Sequence, residues 1–187
     1  MNKYKILGII GESGSGKDTL LKRVSEVCPQ VHEIISYTTR PPREGELDGV
    51  NYHFISNDEF TEKVLNDEML EASYFNEWFY GTGLESLDKD KINIGVFNPE
   101  GINNLMLHSN LDIVVFYVRA SDKQRLLRQL NREENPDVDE IIRRYKTDKE
   151  DFYNLEFHHN EIENNTQEQL EYNIKILASA VRMLQAK

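Results

Sequence analysis

The feature that most limits how this chain can fold lies near its start. The aliphatic run Tyr4 to Ile10 passes straight into Gly11-Glu12-Ser13-Gly14-Ser15-Gly16-Lys17, and a helix-compatible stretch, Thr19 to Val27, follows. Buried strand, glycine loop and helix in that order have few uses. Glycine, four residues, then Gly-Lys is the spacing of a phosphate-binding loop, or P-loop. Small residues are needed there because successive backbone N–H groups must turn inward around a phosphate, and side chains would block its approach. The helix adds its positive N-terminal end, and Lys17 adds a mobile charge for β- and γ-phosphates. One position departs from the strict pattern: Asp18 stands where a Ser or Thr hydroxyl usually holds magnesium. Either Asp18, directly or through water, or Thr19 is expected at the metal, and the spacing leaves both open.

Composition narrows the class. A chain of 187 residues with 39% hydrophobic and 29% charged residues has enough core-formers for one compact unit and too much charge for a membrane protein. Its net charge of -11 works against general affinity for nucleic-acid backbones or anionic lipid, so any phosphate site must be a local basic cluster. The lone Cys28 excludes an internal disulfide and a multi-cysteine zinc site, and reads as a small buried side chain in a reducing compartment. The apolar run within Met1 to Ile10 is far short of a signal-peptide core or a membrane span. The expectation is a cytoplasmic protein with small-molecule partners, no nucleic acid and no membrane; oligomeric state is left open.

Along the chain, Cys28-Pro29 ends the first helix and Val31 to Ile35 can form a second short strand. Residues 44–50, with two glycines and three acids, read as an exposed turn. Ser56 and Glu59 match a capping box at a helix start. Ile92 to Phe97 and Leu111 to Val118 are aliphatic enough for buried strands, with a helix between them near Gly101 to Leu107. Ser121 and Gln124 suggest a second capping box, opening a basic helix with Arg125, Arg128 and Arg132 that Asn135-Pro136 interrupts. A further helix carries Val138, Ile141, Ile142 and Tyr145. Leu170, Ile174, Leu177, Val181 and Leu184 repeat at helical spacing, more simply a core face than a dimer seam. Strands alternating with helices imply an α/β fold with a parallel sheet covered on both faces, and a ligand at the loop after its first strand.

Thr38-Thr39-Arg40-Pro41-Pro42-Arg43 has its own logic. The Pro-Pro pair favours a polyproline-like path that places Arg40 and Arg43 on one side, where two guanidinium forks suit a phosphate dianion.

The longer stretch Ser36 to Phe54, with Phe60, Leu70-Glu71 and Tyr80-Gly81-Thr82 in order, closely resembles the substrate-binding segment of guanylate kinases. With the P-loop before it and the arginine helix after it, the resemblance covers nearly the whole chain. It implies a P-loop NTPase-type three-layer α/β fold with a parallel central sheet, an inserted mixed α/β lobe for the nucleoside monophosphate, and a helical lid. The core would be about residues 1–35, 92–124 and 147–187, the lobe about 36–91 and the lid about 125–146. The implied reaction moves the γ-phosphoryl group of ATP to GMP or dGMP, with Mg2+ as cofactor. Gly11, Glu12, Ser13, Gly14, Ser15, Gly16, Lys17, Asp18 and Thr19 would bind ATP. Arg40, Arg43, Tyr52 and Tyr80 would bind the GMP phosphate, while Ser36, Glu71 and Thr82 would surround guanine. The chemistry agrees, because guanine donates from N1 and N2 toward a carboxylate and accepts at O6 from a hydroxyl. His53 reads as a packing residue.

In the lid, the resemblance makes Arg128, Arg132 and Arg144 catalytic candidates beside Lys17, with Arg125 and Arg143 ranked behind them; the competing reading is ion pairing with Glu133, Glu134 and Glu140. No nucleophile need be found, because the acceptor is already an oxyanion, and adjacent His158-His159 would diverge on a strand and make a poor metal pair. One further departure stands out. Guanylate kinases usually carry two acids bracketing a hydrophobic residue after this strand, and here the positions are Val96 and Asn98. Asp18 and Asn98 together look more like ribose 1,5-bisphosphate phosphokinases, a reading that leaves Ser36 to Phe54 and Glu71 unexplained. A broader deoxynucleotide kinase and a non-catalytic binding module also compete with the guanylate kinase reading.

Overall fold

The computed structural model describes residues 3–43, 45–132 and 134–186. In chain order its elements are β1 (Tyr4–Ile10), α1 (Lys17–Val27), β2 (Val31–Glu33), β3 (Tyr37–Thr38), β4 (His53–Phe54), α2 (Asn57–Leu65), β5 (Met69–Phe75) and β6 (Trp78–Gly83). They continue with β7 (Ile92–Val96), α3 (Pro99–Met106), β8 (Leu111–Arg119), α4 (Asp122–Leu130), α5 (Val138–Asp151), β9 (Asn160–Glu163) and α6 (Gln167–Ala186). Five strands form one parallel sheet in the order β2-β7-β1-β8-β9. Central placement of β1 explains its unbroken aliphatic run, since both of its faces are covered. Ile6 and Ile10 meet Ile102, Leu105 and Phe152 on one side. Leu7 and Ile9 meet Leu20 and Val24 of α1 and Leu177, Val181 and Leu184 of α6 on the other. All four β1 side chains are fully buried, so trimming any one to alanine is expected to destabilise by about 2–5 kcal/mol. The apolar stripe of α6 is thus a core face, and Cys28 is buried beside it.

A second sheet, β4-β3-β6-β5, is mixed: β3 and β4 run parallel, while β6 is antiparallel to both of its neighbours. The β5–β6 hairpin turns through Asn76 and Glu77 with φ of 51° and 70°, the left-handed pair that a two-residue turn matching strand twist requires. α2 starts with a complete capping box, Ser56 Oγ accepting the Glu59 N–H and Glu59 Oε2 accepting the Ser56 N–H. Its Phe60 then stacks on Phe79 of the sheet. Three polar contacts tie this lobe to α3. Asn98 Nδ2 donates to Ser73 Oγ at 2.8 Å, Asn104 Nδ2 donates to the Ala72 carbonyl at 2.9 Å, and the Tyr74 N–H donates to Glu100 at 3.2 Å.

Several local expectations are corrected. α1 starts at Lys17 instead of Thr19, because Gly16 at φ 93° completes the loop and releases the next residue into the helix. β2 stops at Glu33, although the Ile34 N–H still bonds to the Ile94 carbonyl. α4 ends at Leu130 with Asn131 as its C-cap, well before Asn135-Pro136, so Arg132 lies beyond the helix and shares no helical face with Arg128. Ser121 Oγ accepts the Gln124 N–H, but the Ser121 N–H goes to Asn165, leaving the second capping box half formed. Residues 45–50 are more than an exposed turn: Glu46 is largely buried among arginines and Asp48 accepts the Phe54 N–H. Glu44 lies outside the described residues.

Candidate active site

Between the C-terminal ends of β1 and β7 and the second sheet lies a cavity of about 680 Å3. Its donor wall is the loop from Gly11 to Lys17. Gly14 and Gly16 have φ of 80° and 93°, and a Cβ at either would sit 2.5 Å or less from Arg125 O or Asn164 Nδ2, so glycine is required on both counts. The α1 N-terminus has no side-chain cap, which leaves its first N–H groups open to an anion. Lys17, Asp18 and Thr19 line the cavity, and Lys17 has no ion-pair partner among the described residues. Asp18 and Thr19 are exposed at the wall and offer a carboxylate and a hydroxyl, hard oxygen donors that fit a magnesium ion.

From behind, the loop is gripped through its carbonyls. Arg128 donates to Gly14 O at 3.1 Å, Ser15 O at 3.0 Å and Asn164 O at 2.7 Å. Asn164 Nδ2 donates to Ser15 O, and Arg125 Nε donates to Ser13 O. Arg125, fully buried, also pairs with Asp148 at 2.8 Å, and Asp148 accepts the Ser13 N–H at 2.7 Å. Arg128 is therefore not among the residues the structure brings to the cavity. Three backbone carbonyls already hold its guanidinium on the far side of the loop.

The acceptor wall is built from side chains. Ser36, Arg40, Arg43, Tyr52, Glu71 and Tyr80 all line the cavity. Thr82 sits just beneath, its hydroxyl 3.0 Å from Ser36 Oγ and its backbone paired across the strands with Glu71. Burial raises Glu71 to about 7, with the Thr82 hydroxyl opposing the shift and Glu100 adding to it. Its Oε2 is buried without a hydrogen-bond partner. Tyr52 and Tyr80 meet edge to face, and burial pushes the Tyr52 hydroxyl well above its ordinary range, helped by the charge of Asp18. His53 stacks on Tyr37 at 4.8 Å and serves as packing.

Four arginines converge here. Burial, then the charges of Arg40, Arg144 and Arg132, pull Arg43 down to about 10. Glu46 sits beside them, accepting from Arg40 at 2.9 Å and from the Arg43 N–H at 2.8 Å, with Arg132 at 4.0 Å. Burial alone would raise its carboxyl, but these partners outweigh it and hold the group below its ordinary range. Arg132 and Arg144 both reach the cavity, Arg144 bridged to Glu140. Glu133, another partner anticipated in that stretch, lies outside the described residues. Arg143 also pairs with Glu140, at 2.6 Å, and donates to the Asn76 carbonyl at the hairpin tip.

This two-walled arrangement agrees with comparison to known proteins. The sequence profile of the guanylate kinase family matches residues 3–184. The chain belongs to that family. It is 35% identical over 145 residues to a guanylate kinase of Helicobacter hepaticus, covering 75% of this chain and 72% of that protein. A Campylobacter jejuni guanylate kinase is 38% identical over 130 residues, covering 67% of this chain and 63% of its own length. The crystal structure of guanylate kinase from Anaplasma phagocytophilum shares the fold with a TM-score of 0.74 at 21% identity, over 100% of this chain and 88% of that one. The parallel central sheet with helices on both faces is the P-loop NTPase-type architecture of guanylate kinases.

Two further residues of the site escape sequence reasoning. Glu46 reads as part of a turn, although its place three residues after Arg43 is a signal for pairing. Asp148 has no local signal at all, since Arg125 and Ser13 lie 23 and 135 residues away. Asn98 is occupied as the N-cap of α3 and donates to Ser73, so it works as a structural amide beside the pocket. No group of three or more His, Cys, Asp or Glu suited to a metal occurs among the described residues.

Proposed function

We propose that the protein is an ATP-dependent guanylate kinase, moving the γ-phosphoryl group of ATP to GMP or dGMP. The observation that carries this reading is the unpartnered, buried Oε2 of Glu71 at one end of a cavity whose other end is the P-loop. A buried carboxylate oxygen with no partner is costly unless a ligand supplies one. Guanine does so, through the N1 and N2 hydrogens, while its O6 accepts from the Ser36 or Thr82 hydroxyl. Adenine lacks that pattern and would leave Glu71 unpaired, which can discriminate by about 10⁴ or more.

The acceptor phosphate then falls to Arg40, Arg43, Tyr52 and Tyr80, with Glu46 holding the two forks in place. One of its oxygens attacks the γ-phosphorus, the bond to the bridging β–γ oxygen breaks, and ADP leaves. No proton abstraction is needed, so catalysis reduces to alignment and charge neutralisation. Lys17, Arg144 and Arg132 face the space between the two phosphates, whereas Arg128 supports the loop from behind. Asp18 and Thr19 would hold the magnesium, which supplies charge neutralisation at the β- and γ-phosphates.

The buried Glu71 weighs against a sugar bisphosphate acceptor, which has no base to meet it. A free Lys17 and an open α1 N-terminus weigh against a purely binding role. A coupled assay with ATP, magnesium and GMP, dGMP, AMP, CMP, UMP or ribose 1,5-bisphosphate tests the reading. Fastest ADP release is expected with GMP or dGMP; no ADP across the series would sink it.

A further inference from the structure

Gly101 is the third residue of α3 and is buried. In that place alanine is the better helix former, so glycine needs a steric reason. The structure supplies one. A Cβ at residue 101 would sit 3.0 Å from Glu71 Oε2 and 3.2 Å from Asn98 Oδ1, both tighter than ordinary contact, with Glu71 Cδ in normal contact at 3.5 Å.

We infer that Gly101 is a positioning residue for base selection: its bare backbone is what lets the Glu71 carboxylate lie across the first turn of α3 with Oε2 free for the base. This rests on the GMP reading above. A methyl group here needs a few tenths of an ångström of relief, and the helix side is the less able to give it. Asn98 Oδ1 is already the cap of the helix, accepting the Gly101 N–H at 2.7 Å. The helix itself is fastened to β5, the strand carrying Glu71, through Asn98 to Ser73, Asn104 to Ala72 and Tyr74 to Glu100. On its far side Glu71 is backed by its cross-strand neighbour Thr82, which has no exposed surface. The open direction for the carboxylate is then the cavity that Glu71 lines, where the base would sit.

The test is Gly101→Ala, with kinetics for GMP, AMP and ATP and thermal unfolding of the same samples. The expected result is a GMP KM raised about tenfold or more and a smaller GMP-to-AMP ratio of kcat/KM. ATP KM and kcat at saturating GMP should stay within about twofold, and the thermal midpoint should hold. Adding Glu71→Asp, one methylene shorter, should recover part of the GMP affinity in the Gly101→Ala background while weakening it in the parent, a coupling that a merely structural role would not give. If Gly101→Ala does not fold, the double variant should. Unchanged GMP KM and selectivity in Gly101→Ala, a loss that Glu71→Asp does not relieve, or two unfolded variants would overturn the proposal. A carboxyl NMR titration of Glu71 separates this from failure of the GMP reading. The steric contact predicts a pKa falling toward the ordinary glutamate range in Gly101→Ala whether or not the parent phosphorylates GMP, and an unmoved titration counts against it.

Discussion

The two walls of the cavity are made in opposite ways. On the donor side the chain presents backbone: the carbonyls of Ser13, Gly14 and Ser15 are pulled backward by Arg125, Arg128 and Asn164, which holds the peptide planes of the loop in one orientation. Those carbonyls are held before any ligand arrives, while the uncapped N-terminus of α1 leaves its N–H groups open. Side chains make the acceptor wall instead, gathered from β5, β6, Ser36 just before β3 and the loop from Arg40 to Tyr52, and they hold charge in tension. Four arginines crowd together beside Glu46, and Glu71 is buried with one oxygen unpartnered. A backbone cradle recognises phosphate through dipoles that do not titrate. A side-chain pocket recognises a particular base and must feel pH.

The sharpest way to break that contrast is to remove the mobile charge at the end of the phosphate loop, Lys17. Lys17→Met should lower kcat by about 10²–10³-fold, the scale of losing one preorganised group at the transferring phosphoryl. GMP binding, measured by calorimetry without ATP, should stay within about twofold. Equal loss of GMP affinity would mean that the two walls are not separable.

Next in size is the titration of the acceptor wall. Glu71 must be ionised to accept from guanine, and its pKa is raised to about 7, so GMP KM should rise about tenfold per pH unit below that value. The phosphate of GMP also ionises near about pH 6, and Glu71→Gln is the reference in which only that second effect remains. The same substitution has a stability signature. A carboxyl whose folded pKa lies above its ordinary value contributes stability that is present below about 4.5 and lost as pH rises through about 7. Glu71→Gln should therefore raise stability at pH 8 by up to about 3 kcal/mol and change it little at pH 4.5, read from denaturant midpoints. A stability gain equal at both pH values would place its cause elsewhere.

How much of the molecule is legible in its sequence follows the same division. A loop built from backbone leaves its signature in consecutive residues, so Gly11 to Lys17 can be read from spacing and the physics of close approach alone. Arg40 and Arg43 are legible for a similar reason, because the proline pair between them sets their direction locally. Long-range packing hides the rest. Asp148 sits on α5 with no sequence neighbour that hints at Ser13, and Glu46 looks like any loop acid until Arg40 folds back over it. Helical spacing places Arg128 and Arg132 on one face, yet the helix ends between them, and the two point to different tasks. Periodicity reports which residues could share a face, not whether the helix lasts long enough for them to do so.

That last pair allows the finest test. If Arg128 supports the loop from behind, its value lies in a planar fork that bridges Gly14, Ser15 and Asn164 carbonyls at once, which a lysine cannot reproduce. Arg128→Lys keeps the charge and should keep GMP affinity. Losing part of that bridge should lower stability by about 1–2 kcal/mol and raise ATP KM a few-fold, with kcat nearly unchanged. Arg132 carries no such duty, being half exposed beyond the end of α4 with only a 4.0 Å approach to Glu46. Arg132→Lys should therefore leave stability alone and act on kcat. Should Arg128→Lys instead abolish kcat while sparing ATP KM and stability, its guanidinium must leave the three carbonyls during turnover, and the loop would be less firmly built than the acceptor wall it faces.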